Sequence, residues 1–213
     1  MKQTPACPDL SLEIPLWSAG LRALAGLDEA GRGAWAGPVA AGAVILPGNA
    51  DILERLCGVR DSKCMSARQR EEWAKRIKIE ALAWGVGYAS SEEIDAHGIV
   101  SATRLAMQRA LVKLNLKPEH LLIDALILPA EDLPQTSLYK GDARSLSIAA
   151  ASVLAKTGRD DCMRALDTEY PAYGFARHKG YGTRQHLAAL QRQGPCSIHR
   201  NSFAPVKNLN LQN

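Results

Sequence analysis

The sequence contains no apolar run of the roughly 18 residues that span a bilayer, no internal repeat and no low-complexity tract. Met1 to Trp17 carries Pro5, Pro8, Asp9, Glu13 and Pro15 where a secretory leader would have a basic stretch and an apolar block, so the expected compartment is the cytoplasm. The five cysteines, Cys7, Cys57, Cys64, Cys162 and Cys196, lack C-x-x-C spacing and do not cluster with histidine. They read as reduced thiols and leave no basis for a zinc site. Neither G-x-x-x-x-G-K-[ST] nor a G-x-G-x-x-G opening a helix occurs, which removes the common nucleotide-binding loops. Acidic residues are missing from Tyr170 to Asn213, where Arg177, Lys179, Arg184, Arg192, Arg200 and Lys207 stand unopposed in a chain of net charge +4. A basic lobe suits a polyanion such as nucleic acid, and a solvated face would explain the charge equally well.

What remains is ordinary globular material: 213 residues, 46% hydrophobic and 23% charged, enough to bury a core without staples. Residues 1–20 are expected to be a flexible segment and 21–213 one domain, with a helical basic lobe from about residue 170. Leu21, Ala23, Ala25 and Leu27 alternate as a strand would, and Pro38 to Leu46 is a nearly unbroken apolar run. Leu82, Trp84, Val86 and Tyr88 form a third alternating segment, and Leu121-Leu122-Ile123 a fourth that ends on Asp124. Ser66 and Gln69 make a capping box for a helix carrying Trp73 and Ile77. A further helix is expected through Val100, Met107, Leu111 and Leu114, and a long one from Ser145 to about Thr168. A shorter helix follows Thr183, with Leu187 and Leu190 inward and Gly194 as its stop. The class is α/β with a mixed sheet, opening on a hairpin.

Asp28-Glu29-Ala30-Gly31-Arg32-Gly33 is the most informative stretch, because two adjacent carboxylates end a strand that ought to be apolar. Successive strand residues point to opposite faces, so the pair can serve one site only if the strand stops there, which Gly31 and Gly33 allow. Taken alone, the segment reads as a surface turn with a salt bridge to Arg32. Asp124, at the end of another apolar strand, and Asp142, just before the long helix, shift that reading. Carboxylates brought together are costly unless a cation neutralises them. Oxygen-only ligands suit Mg²⁺ or Mn²⁺, and four of them allow two ions about 3.5–4 Å apart, the arrangement for in-line displacement at phosphorus. Asp142 could instead cap the helix that follows it.

Several motifs then fall in order: Asp28-Glu29-Ala30-Gly31-Arg32-Gly33 with Ala36-Gly37-Pro38-Val39, Asp61-Ser62-Lys63, Leu122-Ile123-Asp124, Lys140-Gly141-Asp142-x-x-Ser145, Ser147 to Ser152 with Ala155-Lys156 and Arg159-Asp160, and His178-Lys179-Gly180-Tyr181-Gly182-Thr183 with His186. From about Leu24 to Val206 the chain resembles the bacterial ribonuclease HII family of type 2 ribonucleases H. The resemblance implies a ribonuclease H-like fold: a mixed five-stranded sheet flanked by helices, with a helical C-terminal part. It also implies a divalent-metal endoribonuclease that cleaves the RNA strand of RNA/DNA hybrids and incises 5' of single ribonucleotides in duplex DNA. Such an enzyme leaves 3'-hydroxyl and 5'-phosphate ends and removes RNA primers and misincorporated ribonucleotides. By position, Asp28, Glu29, Asp124 and Asp142 are implied to be the catalytic, metal-binding carboxylates, with Mn²⁺ or Mg²⁺ as cofactor. Gly31, Arg32 and Gly33 resemble the turn that reads the 2'-hydroxyl, and Tyr181 the ring that stacks on the sugar at the RNA to DNA junction. Lys63, Ser152, Lys156 and Lys179 would contact the backbone.

The chain departs from the family pattern at Ala34-Trp35, at Ala125, where glycine commonly follows the strand acid, and at Cys64-Met65, but no carboxylate is replaced. Its N-terminal segment is too short for the extra substrate-binding domain of the related ribonuclease HIII. Two alternatives stand beside this reading: a nucleic-acid-binding module without catalysis, and another nuclease of the same fold. Nothing in the sequence demands more than a monomer, and Asn208-Leu209-Asn210-Leu211 is too generic to assign a sliding-clamp contact.

Overall fold

The computed structural model describes residues 7–210, except for the side chain of Asn210. In chain order the elements are α1 (Glu13–Ser18), β1 (Leu24–Ala30), β2 (Val39–Ile45), α2 (Asp51–Arg55), α3 (Ala67–Glu80), β3 (Ala83–Ala89), α4 (Ser91–Val112), β4 (His120–Asp124), β5 (Gln135–Leu138), α5 (Leu146–Glu169), α6 (Phe175–His178), α7 (Arg184–Gln193) and α8 (Ala204–Asn210). Short 3-10 turns cover Ser62–Cys64 and Gly141–Ala143.

The strands form one mixed five-stranded sheet in the order β3-β2-β1-β4-β5. β1, β2 and β3 run as an antiparallel meander, and β4 and β5 join β1 in parallel. Leu27 pairs with Ile123, so Asp28 and Asp124 follow side by side at the C-terminal ends of β1 and β4. One face of the sheet is covered by α5, α3 and α1, through Leu24, Val44, Ile52, Ile77 and Leu154. The other is covered by α4, through Leu27, Ile45, Ile94, Met107 and Ile123. A smaller core in the C-terminal lobe gathers Ala36, Met163, Tyr173, Phe175, Leu190 and Val206.

Small residues set how closely the layers approach. A side chain on Gly26 or Gly42 would overlap the backbone of α5 at Ser147 or Ala151, so the Ala149-Ala150-Ala151 run of that helix lies directly on β1 and β2. The same principle reverses the expected face of β3. Ala83, Gly85, Gly87 and Ala89 are its buried residues, because α4 comes in at Ala106 and Ala110 too closely for anything larger. Trp84, Val86 and Tyr88 lie on the opposite face, and Trp84 is 39% exposed.

Other expectations shift by a residue or a face. Ser66 makes the capping box of α3 with Gln69, and Thr183 caps α7 before Gly194 ends it. Leu187 is exposed, and His186, Ala189 and Leu190 form the buried side of α7. Leu114 lies beyond the end of α4, and Val100 is exposed. Of the segment expected to be loose, residues 1–6 lie outside the described residues, while Leu10, Glu13 and Trp17 are buried. Glu13 holds that segment down: its Oε1 accepts Ser145 Oγ–H at 2.6 Å and Ser147 N–H at 3.0 Å, at the start of α5. A carboxylate at a helix N-terminus satisfies donors that the helix itself cannot.

Candidate active site

Each carboxylate singled out in the sequence lies at the C-terminal end of the sheet, on an element that fixes it. β1 does not stop at Asp28 but continues through Glu29 to Ala30. Asp28 is 3% exposed; its Oδ1 accepts Glu29 N–H at 2.7 Å, and the polar Ser152 of α5 partly offsets the cost of its burial. Burial, reinforced by the charges of Glu29 and Asp124, pushes the Asp28 carboxyl well above its ordinary range. Glu29 Oε1 pairs with Arg32 at 3.2 Å, whereas its Oε2 is buried without a hydrogen-bond partner. Burial raises this carboxyl too, against the lowering effect of Arg32.

Asp124 is tied to the next acidic segment, since its Oδ1 accepts Gly141 N–H at 2.7 Å. That contact fixes the 3-10 turn that carries Asp142. Asp142 does not cap α5, because Ser145 is the N-cap and accepts Ile148 N–H. Freed from that task, Asp142 is buried toward the cleft, and its carboxyl is pushed up to about 6 by burial and by the charges of Asp61 and Asp124. Asp61 joins the group as a further acid, whose charge raises Asp142.

Lys63 is the cation of this cluster. Burial pulls its pKa down, but Asp61, Asp28, Asp142 and Asp124 outweigh that effect and hold the ammonium charged. Asp61, Lys63, Asp124, Tyr139, Lys140 and Asp142 line a cleft of about 470 Å³. Ala125, the unusual residue after the strand acid, sits there at φ +51°, the left-handed region that favours glycine.

Among the described residues, no three acidic, histidine or cysteine side chains already stand at the spacing of an ion cage. Arg32 and the Gly141 N–H each hold one of the carboxylates in its present place. The donor set nevertheless fits a hard divalent cation: it is all oxygen, it carries excess negative charge, and one buried oxygen of Glu29 has nothing to bind.

A second group of elements meets beside the carboxylates. Gly31 turns at φ +94°, and a side chain there would overlap the Arg159 guanidinium. Fully buried Arg159 donates to the carbonyls of Pro38 (2.8 Å), Ala36 (3.2 Å) and Lys179 (2.9 Å). Fully buried Arg200 donates to Gly37 through Nε and Nη2 (3.0 and 2.9 Å) and to Arg32 (2.7 Å). The Gly-Arg-Gly turn is thereby bolted to the turn carrying Tyr181, a link that Trp35 N–H to Gly180 C=O at 2.8 Å completes. The Tyr181 ring lies 5.3 Å from the Arg159 guanidinium and 5.4 Å from Lys156 Nζ.

The remaining sequence candidates divide. Ser152 is buried against Ser62 Oγ at 2.9 Å, and Lys156 pairs with Asp160 at 2.7 Å. Lys179 is half-buried, with Nζ on the Ala176 carbonyl. Arg200, counted with the basic lobe, is inside the protein and faces no phosphate; Arg177, Arg184, Arg192 and Lys207 are the exposed members of that set. Arg159 was missed as a site residue, although a charge spaced four residues from both Ala155 and Met163, on an otherwise apolar stripe, marks a buried guanidinium.

Comparison with known proteins identifies the family and agrees with the fold. The family model described as Ribonuclease HII matches residues 25–206. A Ribonuclease HII of Synechococcus sp. is 53% identical over 95% of this chain and 90% of its own length, and one of Chloroflexus aurantiacus is 52% identical over 93% and 94%. Among solved structures, ribonuclease H2 of Pyrococcus horikoshii is 25% identical with a TM-score of 0.74, covering 89% of this chain and 97% of that one. Ribonuclease HII of Archaeoglobus fulgidus, solved in complex with PCNA, is 28% identical with a TM-score of 0.72, covering 87% and 96%. Matched by the family model over most of its length and by relatives at 52–53% identity, the chain belongs to the ribonuclease HII family, ribonuclease H-type hydrolases of RNA.

Proposed function

We propose that this chain cleaves the RNA strand of RNA/DNA hybrids and incises duplex DNA on the 5' side of a single embedded ribonucleotide. The observation that carries this reading is the joining of two sites: a carboxylate cluster with an unpartnered buried oxygen on Glu29, and a glycine-rich turn locked against the Tyr181 turn by Arg159 and Arg200. The first supplies hydrolysis and the second supplies recognition of the sugar.

The 2'-hydroxyl distinguishes RNA from DNA because it both donates and accepts hydrogen bonds. Gly31 and Gly33 let main-chain groups approach that hydroxyl without side-chain interference, and Arg32 places positive charge beside the neighbouring phosphate. Tyr181 offers a ring face for the adjoining deoxyribose, held by the cations of Arg159 and Lys156. Asp28, Glu29, Asp124 and Asp142 would hold Mg²⁺ or Mn²⁺. When bound, the metal supplies activation of water and stabilisation of the leaving 3'-oxygen, giving 3'-hydroxyl and 5'-phosphate ends. Lys63 keeps the carboxylates partly neutralised, and Ser152, beside Asp28, lowers the cost of its charge. Arg177, Arg184, Arg192 and Lys207 would grip phosphates, with affinity that falls steeply with salt.

The test is cleavage of a labelled DNA duplex carrying one ribonucleotide, with Mg²⁺, Mn²⁺ or EDTA, beside the same duplex made wholly of DNA. The expected result is metal-dependent incision 5' of the ribonucleotide with the DNA control intact. A folded protein that binds both duplexes and cuts neither would replace this reading with that of a binding module; cutting of both would indicate a less selective nuclease of the same fold.

A further inference from the structure

The C-terminal lobe contains three buried histidines, His178, His186 and His199, which none of the chemistry above uses. They pack among Trp35, Tyr173 and Phe175, and His178 stacks on His186 with ring centroids 4.5 Å apart. Their hydrogen bonds favour one proton order. His186 Nδ1 lies 3.0 Å from the Tyr181 carbonyl, which can only accept, so that nitrogen carries the proton. His186 Nε2 is then an acceptor, and it lies 3.0 Å from His199 Nε2, which must donate. His199 Nδ1 is left to accept Cys196 N–H at 2.9 Å, the shortest of its contacts, with Cys196 Sγ at 3.1 Å and the Cys196 carbonyl at 3.3 Å beside it. On the other side of the same turn, His178 Nδ1 accepts Gly180 N–H at 3.2 Å, while its Nε2 donates to the Tyr173 carbonyl at 2.8 Å.

Two peptide groups around Tyr181, the N–H of Gly180 and the C=O of Tyr181 itself, are thus gripped by imidazoles. The imidazoles add to a turn whose backbone already pairs Tyr181 N–H with the His178 carbonyl at 3.0 Å and Thr183 N–H with the Tyr181 carbonyl at 2.9 Å, and in which Gly180, at φ +78°, and Gly182 flank the tyrosine. Burial holds both His186 and His199 down to about 4, so the rings are neutral, as their acceptor roles require. The cluster is not a candidate ion site, since the two facing Nε2 atoms share a proton and, among the described residues, no three such groups have the arrangement to hold a metal.

We propose that His199 and His186 form a proton-ordered relay that sets the Tyr181 carbonyl, and through it the Tyr181 ring, for stacking on the sugar at the RNA to DNA junction. They are positioning residues for junction specificity, and the proposal rests on the role of Tyr181 given above. In His199→Gln the amide reaches the Nε2 position and still donates to His186; in His199→Asn it stands at the Nδ1 position, keeps Cys196 and breaks the relay. His199→Asn should lower kcat/KM on the single-ribonucleotide duplex by about tenfold, with less than about threefold change on a continuous RNA/DNA hybrid, and His199→Gln should recover most of the loss. In a Tyr181→Ala background, His199→Asn should add nothing further.

Multiplying effects of His199→Asn and Tyr181→Ala, or equal losses in the Asn and Gln variants, would overturn the relay while leaving the Tyr181 reading standing. A Tyr181→Ala variant with unchanged junction cleavage would overturn that reading, and the relay with it. Nitrogen-15 spectra of the wild-type imidazoles give a check that needs no variant. The expected tautomers are Nδ1–H for His186 and Nε2–H for His199, and the reverse assignment would overturn the proposal.

Discussion

Two buried polar clusters lie within this chain, and they are built on opposite principles. At the end of the sheet, Asp28, Glu29, Asp124, Asp142 and Asp61 crowd around Lys63, with Asp28, Glu29 and Asp142 raised by burial and one Glu29 oxygen left without a partner. In the C-terminal lobe, His178, His186 and His199 are matched nitrogen by nitrogen to donors and acceptors, and burial keeps them neutral. An unsatisfied cluster costs stability and persists where chemistry needs a charge to be met by something from outside. A satisfied one stiffens the frame around it. The two meet through Arg159 and Arg200, whose guanidinium groups brace the Gly31–Gly33 turn and the turn of Tyr181.

Breaking the unsatisfied cluster should have the largest effect on activity. Asp28→Asn is expected to reduce single-turnover cleavage by on the order of a thousandfold or more, while fluorescence anisotropy shows duplex binding little changed, because the substitution removes a repulsive charge. Breaking the brace should act on the fold instead. Arg200→Leu leaves the carbonyls of Gly37 and Arg32 without their donor, with an expected loss of about 3 kcal/mol in urea unfolding.

The contrast also sets opposite pH dependences in the metal-free protein. Asp142, raised to about 6 from 3.8, contributes stability that is present below its unfolded pKa and is lost as pH rises through about 6. His186 and His199, lowered to about 4 from 6.5, contribute stability that is present above their unfolded pKa and is lost as pH falls toward 4. Urea midpoints between about pH 4 and 7 should therefore rise more steeply with pH in Asp142→Asn than in the wild type, and less steeply in His199→Gln, with differences of about 1–2 kcal/mol across the range. The smallest effect lies at the mouth of the cleft. Ala125→Gly relieves a left-handed alanine at φ +51° and should stabilise by at most about 1 kcal/mol, the entropy of the unfolded glycine offsetting part of the gain.

The acidic half of this contrast can be read from the chain before folding, the histidine half cannot, and the unread part has physical causes. An acid ending an apolar strand announces itself, which is why Asp28 and Asp124 stand out, and Asp142 follows from its place before a long helix. The roles proposed for Gly31, Arg32, Gly33 and Tyr181 rest on ordered motifs resembling a family, because isolated turn residues carry no such signal. Arg159 and Arg200 were hidden because charge alone does not tell a solvated arginine from one buried among carbonyls. In β3 the alternation of Trp84, Val86 and Tyr88 catches the eye, but the close approach of α4 buries the alanines and glycines between them. β5, four residues reading Gln-Thr-Ser-Leu, has too short an alternation to stand out. Glu13 lies in a segment expected to be flexible, and sequence alone does not show that its carboxylate anchors the start of α5.

The most direct measurement is the thermal midpoint of wild type, Asp28→Asn and His199→Gln, each titrated with Mn²⁺ in the absence of nucleic acid. An ion bound by the folded carboxylate cluster raises the midpoint with its concentration. The expected result is a concentration-dependent rise in the wild type and in His199→Gln and none in Asp28→Asn. An equal rise in Asp28→Asn would contradict the assignment of the carboxylate cluster as the place where the cation is held.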